Sequence, residues 1–297
     1  MKRTKILVGI MSVFLLVILS IALWPKHSDQ KKEDGQLTIV ASTNVYAELA
    51  STVAGDHANV SAIISKQSVS PEDFEPTNQV AKEVSKADIA FGNGLGYDAW
   101  LNKLTRSSKK TQLILVSQLL KKSDKDNPHL WNDPENMVQA AQQLADQLSK
   151  KDPDHKADYQ KNAAAYKEKL TPVTEKVAAL KSQLNGRVAF ETESVYEYML
   201  HDLGLTITGD AFAEAVGEES DPAPSVMKKI QEQMKNHEID LVVQNTQTSG
   251  GDVAKLIKLA KQENLPIVKV TETSPDKTSY VDWKLSELNQ IEKYIAS

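Results

Sequence analysis

The 297-residue sequence predicts an α/β protein of two lobes. Each lobe is a parallel sheet flanked by helices. A long backbone helix joins them, and an N-terminal membrane-anchor helix precedes them. Three observations lead to this fold. Short runs rich in Val, Ile and Ala alternate with helical patterns, as in βαβ units. A polar helical stretch interrupts the alternation at mid-chain. The alternation then restarts and continues to the C-terminus. The composition, 40% hydrophobic and 25% charged, suits two lobes of roughly 100–150 residues each.

At the N-terminus, Lys2, Arg3 and Lys5 precede residues 6–24, which carry no charge. About 20 apolar residues fit a bilayer core, whereas the apolar core of a signal peptide is about 7–15 residues long. Residues 1–25 are therefore read as an anchor, with the basic end inside and Trp24 at the outer interface. The chain beyond is extracytoplasmic and tethered, or secreted if the segment is cleaved. Residues 26–36, KHSDQKKEDGQ, are polar and form the tether.

The first lobe is expected over 37–152. LTIVAST (37–43), VSAIIS (60–65), ADIAFGNG (87–94) and QLILVSQ (112–118) read as buried parallel strands, with helical segments such as VYAELASTVAG between them. DPENMVQAAQQLADQLSKK opens a helix that Asp133 can cap, with Pro134 in its first turn. Residues 153–185 form the linking helix. Leu170, Val173, Val177, Leu180 and Leu184 keep the helical period, and Pro172 is expected to kink or split it. The second lobe spans 186–297, with strands at RVAFET (187–192), LTIT (205–208), IDLVVQN (239–245) and PIVKVTE (266–272).

Composition excludes several functions. A formal charge of −5 leaves no basic footprint for nucleic acid. Removing Lys2, Arg3 and Lys5 with the leader leaves 32 basic residues against 40 acids, about −8, which suits attraction of cations. The absence of cysteine excludes disulfides, thiolate zinc sites, a cysteine nucleophile and a lipid-modified cysteine anchor. No GxSxG, Walker, HExxH or dinucleotide fingerprint occurs.

Ligands of open α/β folds sit at the carboxyl ends of strands. Four such ends carry candidate groups. The turn VSPEDFEPTN holds Glu72, Asp73 and Glu75; DNPHLWNDP holds His129; ETES holds Glu193; VTETSP holds Glu272. Glu191 and Glu193 alternate along the chain, so one faces away. Taken alone, each of these is more often a solvated loop group. His27, His57, His155, His201 and His237 are left unassigned, and the polar turn at Asn245, Thr246, Gln247 and Thr248 reads as structural. A glycosidase-type acid pair, Glu72 with Glu193, is a further possibility. An aromatic content of 6% argues against the sugar platforms it would need.

From about Leu37 to the C-terminus the chain resembles the substrate-binding proteins of zinc and manganese ABC importers. The markers are STNVYAELASTVAGD, FEPTNQVAKEVSKADIAFGNGLGYDAWL, NPHLWNDPEN, TESVYEYMLHDLGL and NTQTSGGDVAKLIKLAKQENLPIVKVTET. The resemblance implies a transition metal held between the lobes, with no covalent chemistry, and delivery to a membrane permease. A monomer is expected. It implies four ligands: Glu72, His129, Glu193 and Glu272. Family members usually carry His where this chain has Glu72, so Glu72 is a replacement, with Asp73 as the alternative ligand. Asp73 and Glu75 are otherwise expected to serve the turn. One imidazole and three carboxylates favour manganese over zinc as the transported ion, although zinc binds most donor sets more tightly. The alternative function is that of a surface adhesion or interaction protein of the same fold, with an altered or lost metal site.

Overall fold

The structure is a computed structural model that describes residues 36–295, so the anchor and most of the tether lie outside the described residues. The first half runs β1 (Leu37–Thr43), α1 (Asn44–Ala54), β2 (Ala58–Ile64), α2 (Asn78–Lys86), β3 (Ile89–Gly92), α3 (Ala99–Arg106), β4 (Gln112–Leu115) and the single turn α4 (Val116–Leu119). Helices α5 (Pro134–Lys151) and α6 (Lys156–Leu184) follow. The second half runs β5 (Val188–Glu191), α7 (Glu197–Asp202), β6 (Thr206–Thr208), α8 (Asp210–Gly217), α9 (Pro224–Lys235), β7 (Leu241–Asn245), α10 (Gly251–Gln262), β8 (Ile267–Val270) and α11 (Tyr280–Ile295).

The strands form two four-stranded parallel sheets, ordered β2-β1-β3-β4 and β6-β5-β7-β8. The same order twice means that each sheet has one switch point, between its first and third strands, where a crevice opens at the carboxyl ends. The strands end where their partners end. Leu115 pairs with Gly92, the last residue of β3, so the chain turns into α4 at Val116 instead of continuing to 118. Val270 pairs with Asn245, the last residue of β7, which leaves Glu272 in the loop beyond.

Asp133 caps α5, accepting from the Glu135 and Asn136 amides at 2.7 and 3.2 Å, and Pro134 occupies the first turn. The long helix α6 is neither split nor interrupted at Pro172. Its packing accounts for this. Tyr159, Ala163, Tyr166 and Leu170 lie in the core of the first sheet, while Val173, Val177, Leu180 and Leu184 lie in that of the second. The proline falls between the two cores, and the burial on both sides holds the helix together across the lost hydrogen bond. Helix α11 spans both cores in the same manner, with Tyr280 and Trp283 in one and Leu288 and Ile291 in the other. Two helices thus tie the sheets together.

Candidate metal centre

The first candidate group sits in the loop between β2 and α2. Pro71 is buried, and its carbonyl accepts the Trp100 indole N–H at 3.1 Å. Phe74 packs edge-on against the same indole at 4.9 Å. These two anchors bracket Glu72 and Asp73 and turn them into a cavity of about 930 Å³. Helix α2 is capped by Thr77, which accepts from the Val80 amide at 3.3 Å, and not by Asp73 or Glu75. Asp73 donates its backbone amide to Ser70 Oγ at 3.4 Å within the turn and also stands on the cavity wall.

Glu193 and Glu272 line the same cavity from the second sheet. Glu193 follows β5 and is gripped by the loop after β7. Asn245 donates its amide N–H at 2.8 Å and Thr248 its hydroxyl. Asn245 and Thr248 are therefore more than a structural turn. They aim Glu193, and their pairing across more than fifty residues left no local signal in the sequence. Glu191 faces away, is buried, and accepts the Tyr196 amide at 3.1 Å. Burial drives its carboxyl well above the usual range.

Glu272 is half-buried. The Tyr97 hydroxyl hydrogen-bonds its carboxyl, and its Oε1 is buried without a hydrogen-bond partner among the described residues. Burial first, then the charges of Glu193 and Glu72, push its pKa up to about 7. Glu72 is raised as well, by desolvation and then by Glu193 and Asp73. The loops from the two sheets are also laced together. Gln247 donates to the Gln67 carbonyl and to Thr273 Oγ1, both at 2.8 Å, and accepts from the Thr273 amide at 3.0 Å.

His129 is buried behind this group and is not on the cavity wall. Its ring packs edge-on to Tyr97 and Trp131, with centroids 6.1 and 5.3 Å apart. Asn127 Oδ1 accepts from Nδ1 at 2.8 Å and from the His129 amide at 2.8 Å. The Asn127 amide group donates to the Ser194 carbonyl at 2.6 Å, next to Glu193. A second strap comes from Asn93, whose Nδ2 reaches the Pro128 carbonyl at 2.8 Å and whose Oδ1 accepts the Tyr46 hydroxyl. The neighbouring Gly94 has φ +86°, and a Cβ there would collide with Ser117 Oγ, so glycine is required. Burial lowers the His129 pKa to about 3, which keeps the imidazole neutral. The ring also hydrogen-bonds the Ser194 carbonyl, which partly opposes that lowering.

Three of the four predicted side chains, Glu72, Glu193 and Glu272, thus share one recess, joined by Asp73. His129 lies one aromatic ring away. Among the described residues, no three His, Asp or Glu side chains are gathered closely enough to hold an ion as they stand. The arrangement offers hard oxygen donors and one neutral imidazole.

Comparison with known proteins agrees with this architecture. The metal ABC transporter substrate-binding lipoprotein SsaB of Streptococcus sanguinis is 25% identical over 280 residues, which is 87% of this chain and 87% of SsaB. The manganese ABC transporter substrate-binding lipoprotein PsaA of Streptococcus pneumoniae is 24% identical over 281 residues, 89% of this chain and 88% of PsaA. The laminin-binding protein Lmb of Streptococcus agalactiae, described as bifunctional with adhesin and metal transporting activity, superposes with a TM-score of 0.72 at 22% identity, covering 87% of this chain and 99% of Lmb. The family model described as zinc-uptake complex component A, periplasmic, matches residues 39–294. With that match over most of its length, the chain belongs to the family of periplasmic A components of zinc-uptake complexes.

Proposed function

We propose that this protein is an extracytoplasmic receptor that captures a divalent transition metal between its two sheets and delivers it to an ABC permease. The observation that carries this is the gathering of Glu72, Glu193 and Glu272 in one cavity, where burial and then mutual repulsion raise two of them. A cation relieves that repulsion, and carboxylate oxygens are its natural donors. The ligands are Glu72, His129, Glu193 and Glu272. His129 completes the set through a ring nitrogen after a local loop adjustment. Helices α6 and α11 cross both cores, so the adjustment is local and not a wide hinge opening.

Three carboxylates and one imidazole favour manganese as cargo over zinc, and a bidentate carboxylate raises the coordination number as manganese accepts. Relatives such as SsaB and PsaA are lipoproteins. This chain has no cysteine to carry a lipid, and residues 6–24 take the anchoring role. Equilibrium dialysis of the chelator-stripped protein against manganese and zinc tests the proposal. Uptake of one ion per chain supports it, and uptake of neither refutes it. The fold shared with Lmb supports a second reading, adhesion, which would stand if metal uptake fails and binding to an extracellular-matrix protein is found.

A further inference from the structure

We infer that the buried ion pair Lys284–Glu287 on α11 is a positioning hub that holds three of the four loops of the metal centre in register. Lys284 has no solvent exposure, and Glu287 has 3%. Lys284 Nζ donates to Glu287 Oε2 at 2.9 Å and to Asn132 Oδ1 at 2.5 Å. Asn132 lies three residues beyond His129, and its own amide donates to the Val195 carbonyl at 2.6 Å, two residues beyond Glu193. Glu287 Oε1 accepts the Thr271 amide at 3.3 Å, immediately before Glu272. One lysine and one glutamate are therefore bonded, directly or through a single side chain, to the His129, Glu193 and Glu272 loops. The first of these belongs to one sheet and the other two to the second.

The surroundings fix the geometry further. The ammonium sits 3.5 Å from the Trp283 ring centroid and 5.6 Å from that of Tyr196. Tyr280, on the same helix, donates its hydroxyl to the Trp131 carbonyl at 2.8 Å, which secures the His129 loop a second time. A buried ion pair contributes little stability that well-packed apolar side chains would not supply, because desolvation offsets its attraction. What apolar side chains cannot supply is a set of directed bonds to three separate loops. The pair touches none of the proposed ligands. It acts on the metal through their backbones, so its effect falls on ligand placement.

The inference rests on the metal-receptor reading, and the test separates the two. Full-length wild type, Lys284→Met/Glu287→Leu and Asn132→Leu are stripped of metal. Each is melted without metal and titrated with manganese and with zinc. The double variant removes both charges together, so no lone buried charge remains. It is expected to melt within a few degrees of wild type or higher, while its affinity for both ions falls about tenfold or more. The ratio of the two dissociation constants is expected to narrow by about threefold, because loosened loops adapt to either ion. A role in stability alone would move the melting temperature and leave that ratio unchanged. Asn132→Leu keeps the ion pair and cuts only the His129 and Glu193 arm, with a weaker loss in the same direction. It decides the matter if the double variant does not fold. A folded variant that binds both ions with wild-type affinity and ratio overturns the inference while leaving the receptor intact. Failure of wild type to bind either ion overturns the receptor reading and the inference with it.

Discussion

Glu72, Glu193 and Glu272 place three acids in one recess, and each side chain there responds to its immediate surroundings. Glu272 has the strongest reason to hold a proton, being half-buried with two carboxylates near it. His129 has the strongest reason to refuse one, because burial leaves it neutral. Metal binding needs both groups deprotonated. Affinity should therefore rise with pH up to about 7 and level off above it, with Glu272 as the group that must release its proton. Titration of the ion between pH 5.5 and 8 checks this, and a flat profile would remove Glu272 from the ligand set. His129→Ala should weaken binding about tenfold or more, since one good ligand is worth at least a kcal/mol or so. An unchanged affinity would exclude His129. Glu72→His should shift preference from manganese toward zinc, because imidazole suits zinc better than a carboxylate does. The ratio of the two affinities reads that shift. The acids and His129 could be picked out because each falls in a connection that leaves the carboxyl end of a strand, directly for Glu193 and Glu272 and after a longer excursion for Glu72 and His129. Asn127, Tyr97, Asn245 and Thr248 were not, since they act on residues that only the fold brings near.

At the scale of elements, the strands were the most legible part, because the central strands of both parallel sheets are buried and read as continuous apolar runs. Strand ends were less so. Where β4 and β8 stop depends on where β3 and β7 stop, which is a matter of pairing and not of local composition. Pro172 shows the same limit from the other side. Local rules break a helix there, yet α6 runs through because its two halves are buried in different cores. Pro172→Ala should restore a backbone donor and raise the unfolding free energy by about 1 kcal/mol or more. Denaturant unfolding measures it. A loss of stability instead would contradict the account that burial on both sides compensates the lost hydrogen bond.

For the molecule as a whole, the site costs stability when no ion relieves it. The Glu272 pKa is raised above its unfolded value, so its contribution to stability is fully present below about pH 4.3 and is lost as pH rises through about 7. Glu191 and Glu72 are raised and act with the same sign, while Asp126 and Asp152 are lowered and act against it. Glu272→Gln isolates the effect. Metal-free wild type should lose more melting temperature than this variant between pH 5 and pH 8, and parallel losses would contradict the assignment. The two lobes and the linking helix could be read from alternation and its interruption. The binding of α11 to both cores could not, because nothing in a C-terminal amphipathic helix says which of two cores it joins.

The central claim is that the cavity between the sheets is a receptor for a transition metal. Thermal unfolding of the chelator-stripped full-length protein with manganese, zinc, iron(II), calcium and magnesium tests it most directly. A ligand that binds only the folded state raises the melting temperature with the logarithm of its concentration. A large rise with manganese or zinc, absent with calcium and magnesium, is the predicted result. No rise with any of the five ions would contradict it and leave adhesion as the function of this fold.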